Sequence, residues 1–214
     1  MPALIPSPDK VILVTGANGY IAMWIVKVLL EKGFSVRGAV RSQQKAELLS
    51  DYFADKMYGD RVKWVIVPNI QTADAFDEAV KGVDGIIHTA SPLPEASTIP
   101  DDLIKPAVEG TVNILNSAMK YSTQITRIVI TSSGAAIIGK LGEGTTTFNE
   151  THWGDESVKI VEEQGMNAPP MVKYRASKTL AEKAAWQFYS THKTDLSFDL
   201  VTINPPIVVG VTAA

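Results

Sequence analysis

A tyrosine and a lysine four residues apart, Tyr174 and Lys178 in Tyr-Arg-Ala-Ser-Lys, share one face if that stretch is helical. An ammonium beside a phenol favours the phenolate and lowers the ordinary tyrosine pKa of about 10 towards neutrality. Such a phenol can protonate a carbonyl oxygen while the carbonyl is being reduced. Alone, the pair is no more than two exposed helical side chains. Its company makes it a candidate, because Thr131-Ser132-Ser133 precedes Tyr174, with Ser133 lying 41 residues upstream. A hydroxyl there can donate to the same oxygen.

A second cluster suits a nucleotide. Thr15-Gly16-Ala17-Asn18-Gly19-Tyr20-Ile21-Ala22 follows the apolar run Val-Ile-Leu-Val and precedes an amphipathic stretch. Gly16 permits a tight turn, Gly19 lets the backbone approach a diphosphate, and the small Ala22 allows a helix to pack closely on a strand. The free N–H groups at the start of that helix then face the anion. About 20 residues beyond such glycines, readers of NAD place an acid for the ribose 2′-hydroxyl. Here Val36 to Lys45 carries no acid and three bases. An acid would repel a 2′-phosphate, whereas arginine can grip it with two parallel hydrogen bonds. The expected cofactor is therefore NADPH, with Arg41 first on its 2′-phosphate and Lys45 and Arg37 behind it.

These groups need a scaffold that brings them together. Short apolar runs at Lys10–Thr15, Val36–Val40, Val62–Val67, Gly85–Thr89, Arg127–Thr131 and Phe198–Ile203 suit strands buried on both faces. Helical spacing occupies the intervals: Tyr20–Lys32, closed by Gly33, then about Ser42–Asp55, Thr72–Lys81, Asp101–Tyr121 and Met171–His192. Pro106 either kinks the fourth of these or marks its true start. In Tyr20–Lys32 the expected stripe is Ile21, Trp24, Ile25, Val28 and Leu29, a core face rather than a membrane face. Strands alternating with helices imply an α/β fold with a doubly wound parallel sheet, the Rossmann arrangement in strand order 3-2-1-4-5-6. Two connections break the rhythm, Ser91–Pro100 and Ile137–Pro170. Both leave carboxyl ends of strands, where ligands bind in such sheets. The second, with Gly139, Gly142, Gly144 and Pro169-Pro170, is expected to be mobile.

Composition narrows the classes. At roughly 150 residues per domain, 214 residues suggest one large domain or one and a half. Apolar residues at 45% and charged residues at 20% exclude intrinsic disorder. The absence of cysteine excludes a disulfide framework, a thiolate zinc site and a cysteine nucleophile, and agrees with a cytoplasmic location. A net charge of −3 is no basic field for nucleic acid, and no apolar run approaches the roughly 18 residues of a membrane span. The opening Met-Pro-Ala-Leu-Ile-Pro-Ser-Pro lacks a cationic region before an apolar one, so it is not expected to act as a secretory signal. His88 is expected to be a hydrogen-bonded structural residue; His152 and His192 share no ligand spacing with it, so no metal is expected. Glu182-Lys183 and the acids at 155–163 suit a solvated surface. Glu95 and Asp101-Asp102 lie near the crevice without forming an acid/base dyad.

Together the motifs resemble the extended short-chain dehydrogenase/reductases, and within them the dihydroflavonol-reductase-like branch with its NADPH-dependent aldehyde, ketone and methylglyoxal reductases. The stretches that carry the resemblance are TGANGYIA (15–22), VRGAVRS (36–42), HTASP (88–92), KPAVEGT (105–111), TSSGAA (131–136), FNETHW (148–153), YRASK (174–178) and NPP (204–206). It implies that Ser133, Tyr174 and Lys178 are catalytic. It also implies that Gly16, Asn18, Gly19, Tyr20 and Ile21 surround the diphosphate, and that Arg41 and Lys45 meet the 2′-phosphate. Thr89, Ala90 and Ser91 would follow the ribose and nicotinamide, with Thr131 beside them and Pro205 at the nicotinamide end. Asn69 and Ile70 would lie near the adenine, where an aspartate is usual in place of Asn69. The implied reaction is hydride transfer to a carbonyl carbon with Tyr174 delivering the proton, while Lys178 holds the ribose and tunes Tyr174. Ala107 stands where many extended members carry a fourth catalytic asparagine, and Pro206 where a glycine is common.

Such relatives run well beyond Ala214, so residues 1–214 are expected to form the NADP-binding domain carrying the catalytic groups, with a substrate lobe beyond. The expected partner is a small-molecule carbonyl compound, and the expected assembly a monomer or homodimer. Two other readings keep the fold: a cofactor-binding regulator without chemistry, and an NAD-dependent sugar-nucleotide epimerase. The intact Ser133, Tyr174 and Lys178 argue against the first, and the basic cluster against the second.

Overall fold

A computed structural model of the chain describes residues 4–54, 58–92, 99–121, 123–139 and 147–212. Six strands, β1 Val11–Thr15, β2 Ser35–Val40, β3 Val62–Ile66, β4 Gly85–His88, β5 Arg127–Thr131 and β6 Asp199–Ile203, form one sheet. Every pairing is parallel, and the order is β3-β2-β1-β4-β5-β6. The chain therefore winds outward from β1 first one way and then the other. This is the doubly wound order expected from the sequence.

The run Ile12-Leu13-Val14 is continuously apolar because both sides of the sheet are covered. Leu13 joins Ile86, Ile128, Ile114, Leu115 and Phe188 on one face. Ile12 and Val14 join Ala22, Val26, Leu30, Leu49 and Phe53 on the other. The second layer comes from α1 (Tyr20–Glu31) and α2 (Gln43–Ala54), the first from α3 (Asp77–Val80), α4 (Asp101–Tyr121) and α6 (Pro170–His192). At the sheet edge β6 leaves Val201 and Ile203 exposed, and Ile207 and Val209 follow it into solvent.

Four expectations need correction. On α1 the buried stripe is Ala22, Val26 and Leu30, four residues apart, while Val28 is exposed and Trp24 half-buried. The small residue faces the sheet, as close helix–strand packing requires. Gly33 ends the helix at φ 97°, with Phe34 N bonding Leu29 O and Gly33 N bonding Leu30 O. The helix expected over Thr72–Lys81 is reduced to α3. Asn69 Oδ1 accepts from Gln71 N at 3.0 Å, and Asp74 takes φ 61°, so local turns replace the first helical turns.

The third correction lies in Ile137–Pro170, which is no simple loop, since α5 (Asp155–Gln164) occupies its middle. Val158, Ile160 and Val161 of α5 pack with Val172 and Ala176 of α6. The acids at 155–163 are largely solvated as expected, but they alternate with an apolar face that docks. Gly142 and Gly144, like Glu95 of the first long connection, lie outside the described residues. Pro106 sits inside α4, which starts at Asp101, so it marks no boundary. The fourth correction concerns Glu182, which is 5% exposed rather than solvated. Among the described residues no helix is long and apolar enough to cross a membrane.

Candidate active site

The carboxyl ends of β1, β2 and β4 open into a cleft of about 670 Å³. Gly16 turns the chain out of β1 at φ 62°, and a Cβ there would lie 3.0 Å from the Cα of Ala90. A Cβ on Gly19 would lie 3.1 Å from the Gly16 carbonyl. Only glycine gives this bend in this space. Ala17 N donates to Ala39 O at 3.0 Å, tying the turn to the end of β2. The N-terminus of α1 therefore faces the cleft with its free N–H groups, a ready anion site. Gly16, Asn18, Ala90 and Ser91 line it, and so does Thr15, which the sequence reading left out.

Beneath this wall Thr15 organises the end of β4. Its hydroxyl oxygen accepts from the amides of Thr89 and Ala90, each at 3.1 Å, and lies 2.8 Å from His88 Nδ1. With two amides donating to it, the hydroxyl has its proton to give, so Nδ1 is the acceptor and the ring proton lies on Nε2. Nε2 has no partner among the described residues. Complete burial, with Lys178 nearby, pushes the His88 pKa down to about 3, so the ring is neutral. The Thr89 hydroxyl is held by the Thr15 carbonyl, so Thr89 shapes the wall from behind.

At the far end Arg41, Ser42 and Lys45 line the cleft, with both cations exposed and no acid beside them on β2 or the start of α2. Arg37 is elsewhere, a correction to the sequence reading. Its guanidinium donates to Ala79 O at 2.9 Å and to Lys81 O at 2.6 Å, capping α3. Burial lowers its pKa from the ordinary arginine value. The geometry of a strand explains this. Arg37 stands four residues, about 13 Å, before Arg41, and its guanidinium is taken up by the carbonyls at the end of α3. Asn69 and Ile70 do line the cleft, and α4 holds them there. Asn113 Nδ2 donates to Ile70 O at 3.0 Å and to Thr72 O at 3.1 Å. Gly110 leaves room for the Ile70 side chain, since a Cβ there would come within 2.6 Å of it. The sequence reading missed this α4 contribution, because nothing local signals a glycine needed by a distant loop.

The catalytic candidates gather where β4, β5 and α6 meet. Lys178 is 8% exposed, and its Nζ donates to Ser91 Oγ at 2.8 Å. Burial pushes its pKa down to about 8. Its Nζ stands 5.7 Å from the centre of the half-buried Tyr174 ring, one helical turn away, as the spacing requires. Ser133 leaves β5 extended, at φ −159° and ψ 149°, and caps the short 3-10 turn Gly134–Ala136 by accepting from Ala135 N at 3.1 Å. That bond uses the oxygen and leaves the O–H free to donate.

Ser132 differs from Ser133. It is buried, and its hydroxyl donates to Glu182 Oε2 at 2.5 Å. The buried Glu182 also accepts from Thr202 Oγ1 at 3.1 Å and Asn204 Nδ2 at 2.7 Å. Tyr174, Lys178 and Glu182 repeat every four residues on α6. That spacing was the available signal for Glu182, and it was passed over. Thr131, Ala90 and Ser91 line a small interior cavity with Lys178, Glu182 and His88. Tyr20 and Ile21 begin α1, and the Tyr20 hydroxyl lies 3.1 Å from where a Gly210 Cβ would stand. Pro205 contributes its carbonyl, which accepts from Gly134 N at 2.9 Å. No group of three or more possible metal ligands occurs among the described residues.

The sequence profile of the NAD dependent epimerase/dehydratase family matches residues 12–212. The NADPH-dependent methylglyoxal reductase of Saccharomyces cerevisiae is 37% identical over 207 residues, covering 93% of this chain and 58% of that protein. The crystal structure of the yeast methylglyoxal/isovaleraldehyde reductase complexed with NADPH superposes with a TM-score of 0.86 at 36% identity, covering 95% of this chain and 60% of that one. The corresponding NADPH complex from Candida albicans also gives 0.86, at 33% identity, covering 96% of this chain and 60% of that one. The chain thus spans about 60% of the length of the relatives it matches. With one profile running nearly its whole length, and relatives over a third identical on the same sheet, this chain belongs to the NAD dependent epimerase/dehydratase family, the extended short-chain dehydrogenase/reductases.

Proposed function

We propose that the protein is an NADPH-dependent carbonyl reductase that converts an aldehyde, ketone or ketoester into an alcohol. One observation carries the reading. A glycine turn and a pair of exposed cations, Arg41 and Lys45, line one cleft, and Ser91 of that same lining accepts a hydrogen bond from Lys178, whose Nζ stands 5.7 Å from the centre of the Tyr174 ring. The similarity to NADPH-dependent reductases, two of them solved with NADPH bound, supports it.

The residues present fit the dinucleotide. A Cβ at Gly16 would collide with Ala90 at the point where a diphosphate needs the backbone, and Arg41 and Lys45 leave two positive charges free for a 2′-phosphate. Asn69 and Ile70 would bound the adenine. When bound, NADPH supplies the hydride. The chain does the rest. The phenol of Tyr174 gives its proton to the carbonyl oxygen as negative charge develops there. The Ser133 hydroxyl donates a hydrogen bond to the same oxygen. Lys178, held by Ser91 and poorly solvated, is placed to hold the nicotinamide ribose.

Residues 1–214 form the cofactor domain in this reading, and the chain after Ala214 supplies the substrate lobe, supported by the greater length of the relatives. A cytoplasmic location and a monomeric or homodimeric state belong to the same proposal, the first supported by the cysteine-free composition. The test follows NADPH absorbance with the complete native chain across a panel of aldehydes, ketones and ketoesters. Turnover with NADPH and little with NADH is expected. Tight NADPH binding without turnover would make the protein a regulator, and activity with NAD on a sugar nucleotide would make it an epimerase.

A further inference from the structure

We infer that Glu182 is a positioning residue for the reduction: its buried carboxylate clamps the ends of β5 and β6 onto α6 and so fixes Ser133 relative to Tyr174 and Lys178. The inference rests on the reductase reading for its chemistry and on the following contacts for its geometry.

A buried carboxylate is costly unless it is fully hydrogen-bonded. Glu182 meets that cost with donors from three places: Ser132 at the end of β5, Thr202 in β6, and Asn204 just beyond β6. The Asn204 amide then reaches further, donating from the same Nδ2 to the carbonyl of Ser133 at 3.0 Å. Two backbone bonds flank that link, Ser132 N to Ile203 O and Gly134 N to Pro205 O, each at 2.9 Å. The peptide unit after Ser133 is therefore held through both its carbonyl and its N–H, the unit before Ser132 is held through its N–H, and one side chain of α6 ties these strand ends to the helix. The same helix carries Tyr174 one turn before Lys178 and Lys178 one turn before Glu182. The proton donor, the ammonium and the anchor of the serine thus share one rigid rod. Glu182 is also what distinguishes the two serines, since it takes the hydroxyl of Ser132 and leaves that of Ser133 free.

Replacing Glu182 by leucine strands three donors in the interior. Replacing it by glutamine does not. The carboxamide oxygen can accept from Ser132 and Asn204, and its NH2 can donate to a Thr202 hydroxyl that has turned round. The experiment measures kcat and NADPH Kd for Glu182→Leu, Glu182→Gln and Asn204→Ala in the complete native chain, alone and combined with Ser133→Ala. Glu182→Leu should lower kcat by about 10- to 100-fold, the scale of a small displacement of a catalytic group, with NADPH Kd unchanged. Glu182→Gln should recover most of that loss. With Ser133→Ala already present, Glu182→Leu should cost little more, because the group it positions is gone. Asn204→Ala, which cuts the link to Ser133 together with one of the three hydrogen bonds to Glu182, should lower kcat in the same way and keeps the test open if Glu182→Leu does not fold.

An unchanged kcat in Glu182→Leu and Asn204→Ala, a full additional loss over Ser133→Ala, or a matching loss of NADPH affinity would each overturn the inference. Amide exchange separates it from the reductase reading. If the wild type reduces no carbonyl, that reading fails, while the clamp is still read at Gly134 and Ala135. Their exchange should be faster by at least about tenfold in Glu182→Leu or Asn204→Ala and close to wild type in Glu182→Gln, as expected of local opening. Equal exchange in all of these variants would remove the clamp.

Discussion

Arg41 and Lys45 stand exposed at one end of the cleft, while Arg37, the third base of the same stretch, is turned to backbone carbonyls. Cofactor choice is therefore expected to rest on Arg41. Arg41→Ala should weaken NADPH binding by about 1.5–3 kcal/mol, the range of a charge-assisted hydrogen bond, and barely change NADH binding. Fluorescence titration with both cofactors checks it, and equal losses would remove Arg41 from the 2′-phosphate. Tyr174 is tested by removing one oxygen. Tyr174→Phe keeps the ring that stands 5.7 Å from the lysine nitrogen but deletes the proposed proton donor. Its kcat should fall by about 10²–10⁴-fold with NADPH Kd nearly unchanged. A wild-type kcat would sink the assigned mechanism.

At the scale of elements, Arg37 shows how a strand assigns roles. It pairs in register with Leu13 on one side and Lys63 on the other, in mid-strand, and its side chain closes the C-terminal end of α3. Arg37→Met should lower stability by about 1 kcal/mol, because one part-buried and one exposed carbonyl lose a charged donor, and leave NADPH affinity unchanged. Urea denaturation beside the same titration distinguishes the outcomes, and a weakened NADPH affinity would return Arg37 to the phosphate. Helix α5 follows the same logic. Its apolar residues at 158, 160 and 161 pack with Val172 and Ala176 of α6, the residues two before and two after Tyr174.

At the scale of the whole molecule, His88 and Lys178 are two buried cation-forming groups that line the same small cavity. His88 is held neutral with a pKa of about 3, below the ordinary value of 6.5 that the unfolded chain displays. Between those values the unfolded state binds a proton that the folded state does not, so the contribution is complete above pH 6.5 and lost as pH falls towards 3. The slope approaches about 1.4 kcal/mol per pH unit for one proton. Lys178 acts at the other end. Its pKa of about 8 lies below the ordinary 10.5, so stability should rise with pH between those values. Denaturation across pH checks both arms. Imidazole NMR gives the decisive reading for the first, because His88 should remain neutral at pH 5, where an exposed histidine is charged; a charged ring there would contradict it.

Much of this protein was legible in its residues. Six short apolar runs separated by helical spacing pointed to the doubly wound sheet, most plainly at β1, where both faces are covered and Ile12-Leu13-Val14 is continuously apolar. The glycine turn, Arg41, and the Tyr174–Lys178 pair were legible too, since each is local: a bend that needs glycine, a charge at a strand end, two side chains one helical turn apart. What the sequence left open depends on partners distant along the chain. Ser132 and Ser133 are identical in type, and only the carboxylate 50 residues after Ser132 separates them. Arg37 looks like a phosphate ligand until α3 is folded against β2. Glu182 reads as surface until β5 and β6 bring three donors to it. Residue type and spacing decide what one element can be; which polar groups are used up, and which stay free for chemistry, is decided only when separate elements meet in the folded interior.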